Sequence, residues 1–452
     1  MTAHADPASP AIRRWSALDT AVGGLALDLG IYAAATVFAA VTAATSTLPP
    51  HRAWGAVATI GYALATLAAA TQLLARHRDP GTPLAGLPAR WTVTGVTWAT
   101  AALLPVVIQS VQRAAGRAGR AQEEVIVVEH AGTRLAEHGT PYLGPDAIAA
   151  LPPGEQLLGY TPYQPGMALF GLPRAATDAW WTDARIWFAV ATALALAALV
   201  TTLRDTTNGP GSPRRTATLL RAVQAATVLP VSALTLATGG DDLPVLALCL
   251  LALALAAAGR PGRAGLAVGA AGALKLFAWP VAIVLICWAA TRRAGARTAL
   301  GALGLPVLAL LPVLLVDSDA LVENVLRFPL GHGLVTSPAQ SPLPGHLIAE
   351  TLPAGRAVAA VLLAAVGLAI AVRLLRRPPR TAAATAVICG SGLLAAILLM
   401  PTTRFGYLLY PVALLLLAPT LARAETPTQD SGRPAFPATA RRNPAERRTP
   451  EA

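Results

Sequence analysis

Between Ala21 and Leu421 the chain is a succession of apolar runs, separated mostly by short loops in which arginine recurs. A helix of about 20 apolar residues covers the ~30 Å hydrocarbon core of a bilayer. A chain built this way folds by crossing a membrane repeatedly, each span closing its own backbone hydrogen bonds. Only 13% of the residues are charged and 54% are hydrophobic, against about 25% charged in soluble domains. The net charge of +12 does not imply a nucleic-acid partner, because the arginines are scattered in loops between spans, where they set orientation. Cys249, Cys287 and Cys389 all fall inside apolar runs and read as small core residues rather than a disulfide framework or metal site. The first span lacks a small-residue cleavage motif and reads as retained, not as a signal peptide. The bias to alanine, arginine and proline points to a high-GC bacterial genome.

One charge conflicts with this pattern. Lys275, the only lysine, sits in the middle of the apolar stretch Ala264–Ala290. Loop charge decides how to read it. With Arg13, Arg14 and the arginine-rich tail from Arg423 in the cytoplasm, the loops alternate sides from both ends of the chain. The loop holding Arg76, Arg78 and Arg90 is inside, 112–178 outside, 204–215 inside, 239–242 outside and 259–263 inside. From the other end, 401–404 is outside, 376–380 inside, 317–355 outside and 291–297 inside. Both ends of the Lys275 stretch are then cytoplasmic. One crossing cannot satisfy that, but two short helices can, one ending near Leu274 and one starting near Phe277, with Lys275 at the outer apex. The alternative is one long helix whose lysine snorkels or faces a partner helix, with one basic loop violating the rule. The expectation is an all-α polytopic membrane protein with about 12 crossings, a helical hairpin broken at Lys275, and two larger extracytoplasmic loops.

In the first of those loops, Glu123–His138 is apolar at helical spacing and is broken by Gly139–Tyr142. The run Tyr160–Pro173 is too short to cross and reads as interfacial. Residues 1–20 read as a cytoplasmic tail and 422–452 as a disordered one.

This topology gathers unusual polar residues on one face: Glu123, Glu124, Glu129, Tyr160, Tyr163, Asp241, Asp242, Lys275, Arg327, His332, His346, Arg404 and Tyr407. Such a set suits a substrate with a phosphate and hydroxyls. Arginine and lysine hold phosphate, and a carboxylate takes a proton from a hydroxyl. Simpler readings exist for each: Glu123 and Glu124 as a solvated helix start, Asp241 and Asp242 as a helix cap, Arg404 as an interfacial anchor, and Asp28 of the first span as a partner for a neighbouring helix. No metal motif is recognisable; a divalent ion at Asp241 and Asp242 is conceivable but not expected, and no other cofactor is implied. Phosphate-loop, dinucleotide-fold and nucleophile-elbow motifs are absent.

Five segments carry a resemblance: EEVIVVEHAGTRLAEHGTPYLG (123–144), YTPYQPGMALFGLP (160–173), TGGDDLPVLALCLLALALA (238–256), AGLAVGAAGALKLFAWP (264–280) and PTTRFGYLLYP (401–411). Together they resemble the actinobacterial integral-membrane glycosyltransferases of family 87, in the GT-C superfamily. The resemblance implies transfer of a hexose, usually mannose, from a polyprenyl-phosphate donor to a lipid or glycan acceptor on the outer face of a bacterial plasma membrane, both termini being cytoplasmic. It implies an acid in the first outer loop as general base, which Glu124 fits best and Glu123 next, although the family more often has Asp followed by a Val-Tyr pair. Lys275 and Arg404 would hold the donor phosphate, while Asp241, Asp242, Tyr163, Tyr407, Arg327 and His346 would contact substrate. Residues 21–75 would be a hairpin added before a GT-C-like unit over 76–421. The rival readings are a transporter or lipid flippase, expected to show polar groups near mid-membrane and symmetry between halves, and a non-catalytic scaffold.

Overall fold

A computed structural model describes residues 21–205 and 213–425. The expected tail 1–20 and most of the C-terminal tail lie outside the described residues. The last helix runs through Glu425, so residues 422–425 are helical rather than part of that tail.

Among the described residues there is no strand, only one bridge between Gln340 and Thr403. The helices that build the protein are α1 (Leu25–Thr45), α2 (Pro49–Arg78), α3 (Leu87–Ala114), α4 (Glu123–His138), α5 (Ala184–Asp205), α6 (Pro213–Thr227), α7 (Pro230–Thr238), α8 (Asp242–Ala257), α9 (Pro261–Leu274), α10 (Trp279–Ala290), α11 (Gly295–Val316), α12 (Gly355–Arg376), α13 (Ala382–Leu399) and α14 (Leu409–Glu425). Among the described residues, 8 helices are long and apolar enough to cross a membrane, and α6 with α7 makes a ninth candidate, bent by 41° at Val228–Leu229. This is an all-α polytopic membrane protein. The shorter α8 lies in its interior. Of the 16 residues of α8, 13 are buried, which explains why it is apolar all round.

Breaks in the helices are answered by specific donors. Pro105 in α3 has no N–H to give the Ala101 carbonyl. The helix widens to a π turn over Ala99–Leu103, and the indole of buried Trp54 donates to Ala101 O at 2.8 Å. At the bend between α6 and α7, Tyr62 donates to Val228 O at 2.7 Å. The hairpin of α1 and α2 is bound to the rest electrostatically as well: Asp28 accepts from Arg90 Nε at 2.5 Å, from Arg221, and from Gln224 at 3.1 Å. Asp28 therefore pairs between helices, the simpler of its two readings.

The stretch around Lys275 is broken as expected. α9 ends at Leu274, Lys275 is extended (φ −154°, ψ 144°), a 3-10 turn covers Leu276–Ala278, and Pro280 stands in the first turn of α10. The freed carbonyls have partners, Gly272 O from the Trp279 indole at 3.1 Å and Leu274 O from Gln164 N at 3.1 Å. α9 has 14 residues, about 21 Å of helix, which is short of a ~30 Å core.

Gln164 belongs to the run Tyr160–Pro173, expected at the interface. Tyr160, Tyr163, Met167 and Ala168 are instead buried in the protein, and the run packs against α4 and the Lys275 break. The two long loops dock on each other. Tyr160 stacks on Phe328 with centroids 4.1 Å apart, and Thr161 N donates to Asn324 Oδ1 at 2.7 Å.

Candidate active site

The site forms where four breaks in the chain meet: the start of α4, the turn Gly239–Asp242 between α7 and α8, the break at Lys275, and the turn before α14. Gln122, just ahead of α4, fixes the first to the second. Its N–H donates to Thr238 O at 2.9 Å, and its Oε1 accepts from the Thr238 hydroxyl at 2.8 Å.

Lys275 is buried and its Nζ lies 2.7 Å from Asp241 Oδ2 and 2.6 Å from Asp242 Oδ1. Tyr410 donates to the same Asp242 oxygen at 2.7 Å. The Tyr163 and Tyr407 rings face the ammonium, each centroid 5.4 Å away. Neither aspartate side chain caps α8, so the capping reading is overturned: both carboxylates are turned to the lysine. Two carboxylates against one ammonium leave a surplus negative charge in a buried place, which is costly. Burial accordingly pushes Asp241, in the turn ahead of α8, above the ordinary carboxylate range; Lys275 opposes that rise and Asp242 adds to it.

Glu124 lies in the first turn of α4 and forms an ion pair with Arg404. Arg404 is therefore more than an interfacial anchor. This pair and the lysine cluster share two chain segments. Gly239, two residues before Asp241, lies beside Gln122 and Glu124: a Cβ there would be 3.2 Å from Gln122 Oε1 and 3.8 Å from Glu124 Oε2. Tyr407, three residues after Arg404, supplies the ring facing Lys275. Phe277 joins them, its ring 4.8 Å from that of Tyr407 and 5.2 Å from that of Tyr410.

Other expected site residues stand apart from this cluster. Glu123 is exposed. Arg327 is exposed and pairs with Glu323 at 3.1 Å on its own turn. His346 does not reach the lysine cluster; its Nδ1 bonds Pro401 O at 2.9 Å, and its Nε2 lies 3.2 Å from Glu350. It braces the turn that carries Arg404, together with Thr403 N donating to Ala339 O at 2.8 Å and Phe405 N donating to Ser341 Oγ at 3.0 Å. Tyr160 is held by Glu323 and Phe328.

Glu129 is taken up elsewhere too. It accepts from Arg113 at 2.6 and 2.7 Å, and Arg113 also reaches Asp183 at 3.1 Å. Asp183 holds Arg185 by a fork at 2.8 and 2.9 Å, and Arg185 donates to Ala237 O at 3.0 Å. This buried network ties α3, α4 and α5 to the end of α7, and so sets the spacing between Glu124 and the Gly239–Asp242 turn. Sequence reasoning missed Arg113, Asp183 and Arg185 in this role. Among the described residues, no three His, Cys, Asp or Glu side chains form a metal-ligand set.

A comparison with family models matches residues 160–401 to glycosyltransferase family 87. The match covers Asp241, Asp242, Lys275 and Tyr163; Glu124 and Arg404 fall outside it. No curated protein and no solved structure matches the chain.

Proposed function

The chain belongs to glycosyltransferase family 87, and we propose that it transfers mannose from a polyprenyl-phosphate donor to a hydroxyl of a lipid or glycan acceptor, with inversion, at the outer face of a bacterial plasma membrane. The observation that carries this reading is the junction of the Lys275 cluster with the Glu124–Arg404 pair. One face of the site offers fixed cations for a phosphate, and the adjoining residue is a carboxylate able to accept a proton.

In this reading the acceptor oxygen attacks C1 of the sugar as the bond from C1 to the phosphate oxygen breaks. Glu124 takes the acceptor's proton. Lys275 has three N–H donors; two face the aspartates, and the third is available for a phosphate oxygen. Asp241 and Asp242 fix the ammonium, and their remaining oxygens can accept from sugar hydroxyls. Arg404 leaves Glu124 for the phosphate, so the base is released when the donor is in place. Lys275, held in place by the two aspartates, acts on the leaving phosphate as a fixed charge without reorganising. The shortness of α9 supports a recessed site: with the Arg260 end at the cytoplasmic surface, its 14 residues leave Lys275 several ångströms short of the opposite boundary of a ~30 Å core.

The polar groups meet at helix ends on one side of the bundle, which supports transfer over two-sided transport. Glu124→Gln should lower transfer from radiolabelled polyprenyl-phosphate mannose in membranes by about 10²–10⁴-fold while leaving the protein's abundance intact. Full activity in that variant would remove Glu124 from the mechanism.

A further inference from the structure

We infer that the end of α9 opposite Lys275 holds an anionic phospholipid, seated between α9 and α11. A groove of about 800 Å³ opens there, within the size range of ligand sites. Arg260, Arg263 and Arg297 stand around its mouth and are exposed. No carboxylate among the described residues pairs with any of the three. Its far wall is apolar, with Leu300 and Leu308 77% and 66% exposed. A cluster of unpaired guanidinium groups above an apolar channel is complementary to a phosphate head with acyl chains.

The packing of the two helices explains why the groove exists. α9 and α11 meet backbone to backbone at Gly265, Gly269 and Gly301, where an added Cβ would lie 2.1–2.6 Å from the facing chain. Such contact brings the axes close and leaves no side chains to fill the furrow beside it. A Cβ on Gly304, one turn further along α11, would meet nothing within 4 Å. Loop charge places this end on the cytoplasmic side, where anionic lipids attract arginine. The occupant is therefore a membrane lipid held away from the reacting phosphate, which belongs at the other end of α9.

The test uses the full chain purified in detergent, with native mass spectrometry reading retained and added lipid. Phosphatidylglycerol should bind, phosphatidylcholine should not, and inorganic phosphate should not compete. The triple variant R260Q/R263Q/R297Q should bind phosphatidylglycerol on the order of 100-fold more weakly, at roughly tenfold or less per charge. Because lost arginines can also disturb insertion, Gly304→Phe provides a second test: it fills the groove, keeps every charge, and should displace the lipid. Equal binding of phosphatidylcholine, or unchanged phosphatidylglycerol binding in Gly304→Phe, would overturn the assignment.

Discussion

Glu124 and Arg404 neutralise each other across the mouth of the site, so the carboxylate proposed to receive a proton already holds a cation. If Arg404 moves to the donor phosphate, it acts twice, by stabilising the leaving group and by freeing the base. Arg404→Gln should then lower kcat/KM by about 10²–10³-fold, the usual effect of removing one group that stabilises developing negative charge. Residues acting as a unit are non-additive. The double variant E124Q/R404Q should accordingly be little worse than E124Q, as measured by initial transfer rates over a range of donor concentrations. Additive losses would show that the two act separately.

Lys275 poses a different problem, because its loss unbalances a buried cluster whatever its part in catalysis. Removing one partner of a buried pair costs about 3–5 kcal/mol, and Lys275→Met strands Asp241 and Asp242 together. The triple variant K275M/D241N/D242N removes the charges as a set and should regain most of that stability, as judged by unfolding in detergent. It should still fail to transfer sugar. Recovery of activity along with stability would confine Lys275 to a structural part.

The break at Lys275 was legible because a lone charge and the arginines flanking its stretch act over short sequence distances. The turn Gly239–Asp242 was legible for the same reason, but not the direction of its side chains. A capping aspartate and a lysine-bound aspartate look identical in sequence, and only the approach of α9 to α8 decides between them. Glu129 illustrates the limit. It sits five residues from Glu124 on an outer-loop helix and looks equally available, but its partners Arg113 and the Ala184 N–H lie 16 and 55 positions away along the chain. His346 and Arg327 take partners other than the Lys275 cluster, because a shared membrane face says nothing about distance within that face. The fold class was carried by hydropathy alone, since length and apolarity of helices need no tertiary information.

The helix that carries Glu124 is seated by glycines. A Cβ on Gly171 would lie 2.0 Å from Val128 O, and one on Gly132 would lie 2.2 Å from Gly171 C. These are backbone contacts that no side-chain rotation relieves. Gly171→Ala should push α4 away from the segment beneath it, costing about 1–3 kcal/mol, as for an overpacked core. Because α4 starts at the site, transfer should fall more than stability alone explains. Comparing specific activity of the folded fraction with the melting temperature checks this; unaltered specific activity would mean that the start of α4 is held by Gln122 alone.

Asp183 gives the network around α4 a defined pH response. Burial works to raise its pKa, but the Arg185 charge and its hydrogen bonds, aided by Arg113, overcome burial and hold Asp183 at about 2 against an ordinary 3.8. A carboxyl lowered on folding contributes stability that is present above 3.8 and lost as pH falls through about 2. At 1.36 kcal/mol per pH unit, the contribution is about 2 kcal/mol. Asp183→Asn removes the titrating group and strands Arg185, so it should be less stable than the unmodified protein at neutral pH. That gap should narrow by about 2 kcal/mol between pH 4 and pH 2, because only the unmodified protein loses the contribution there. Unfolding in an acid-stable detergent at successive pH values measures the gap. A gap that stays constant down to pH 2 would show that Asp183 is not held in its charged form by the two arginines.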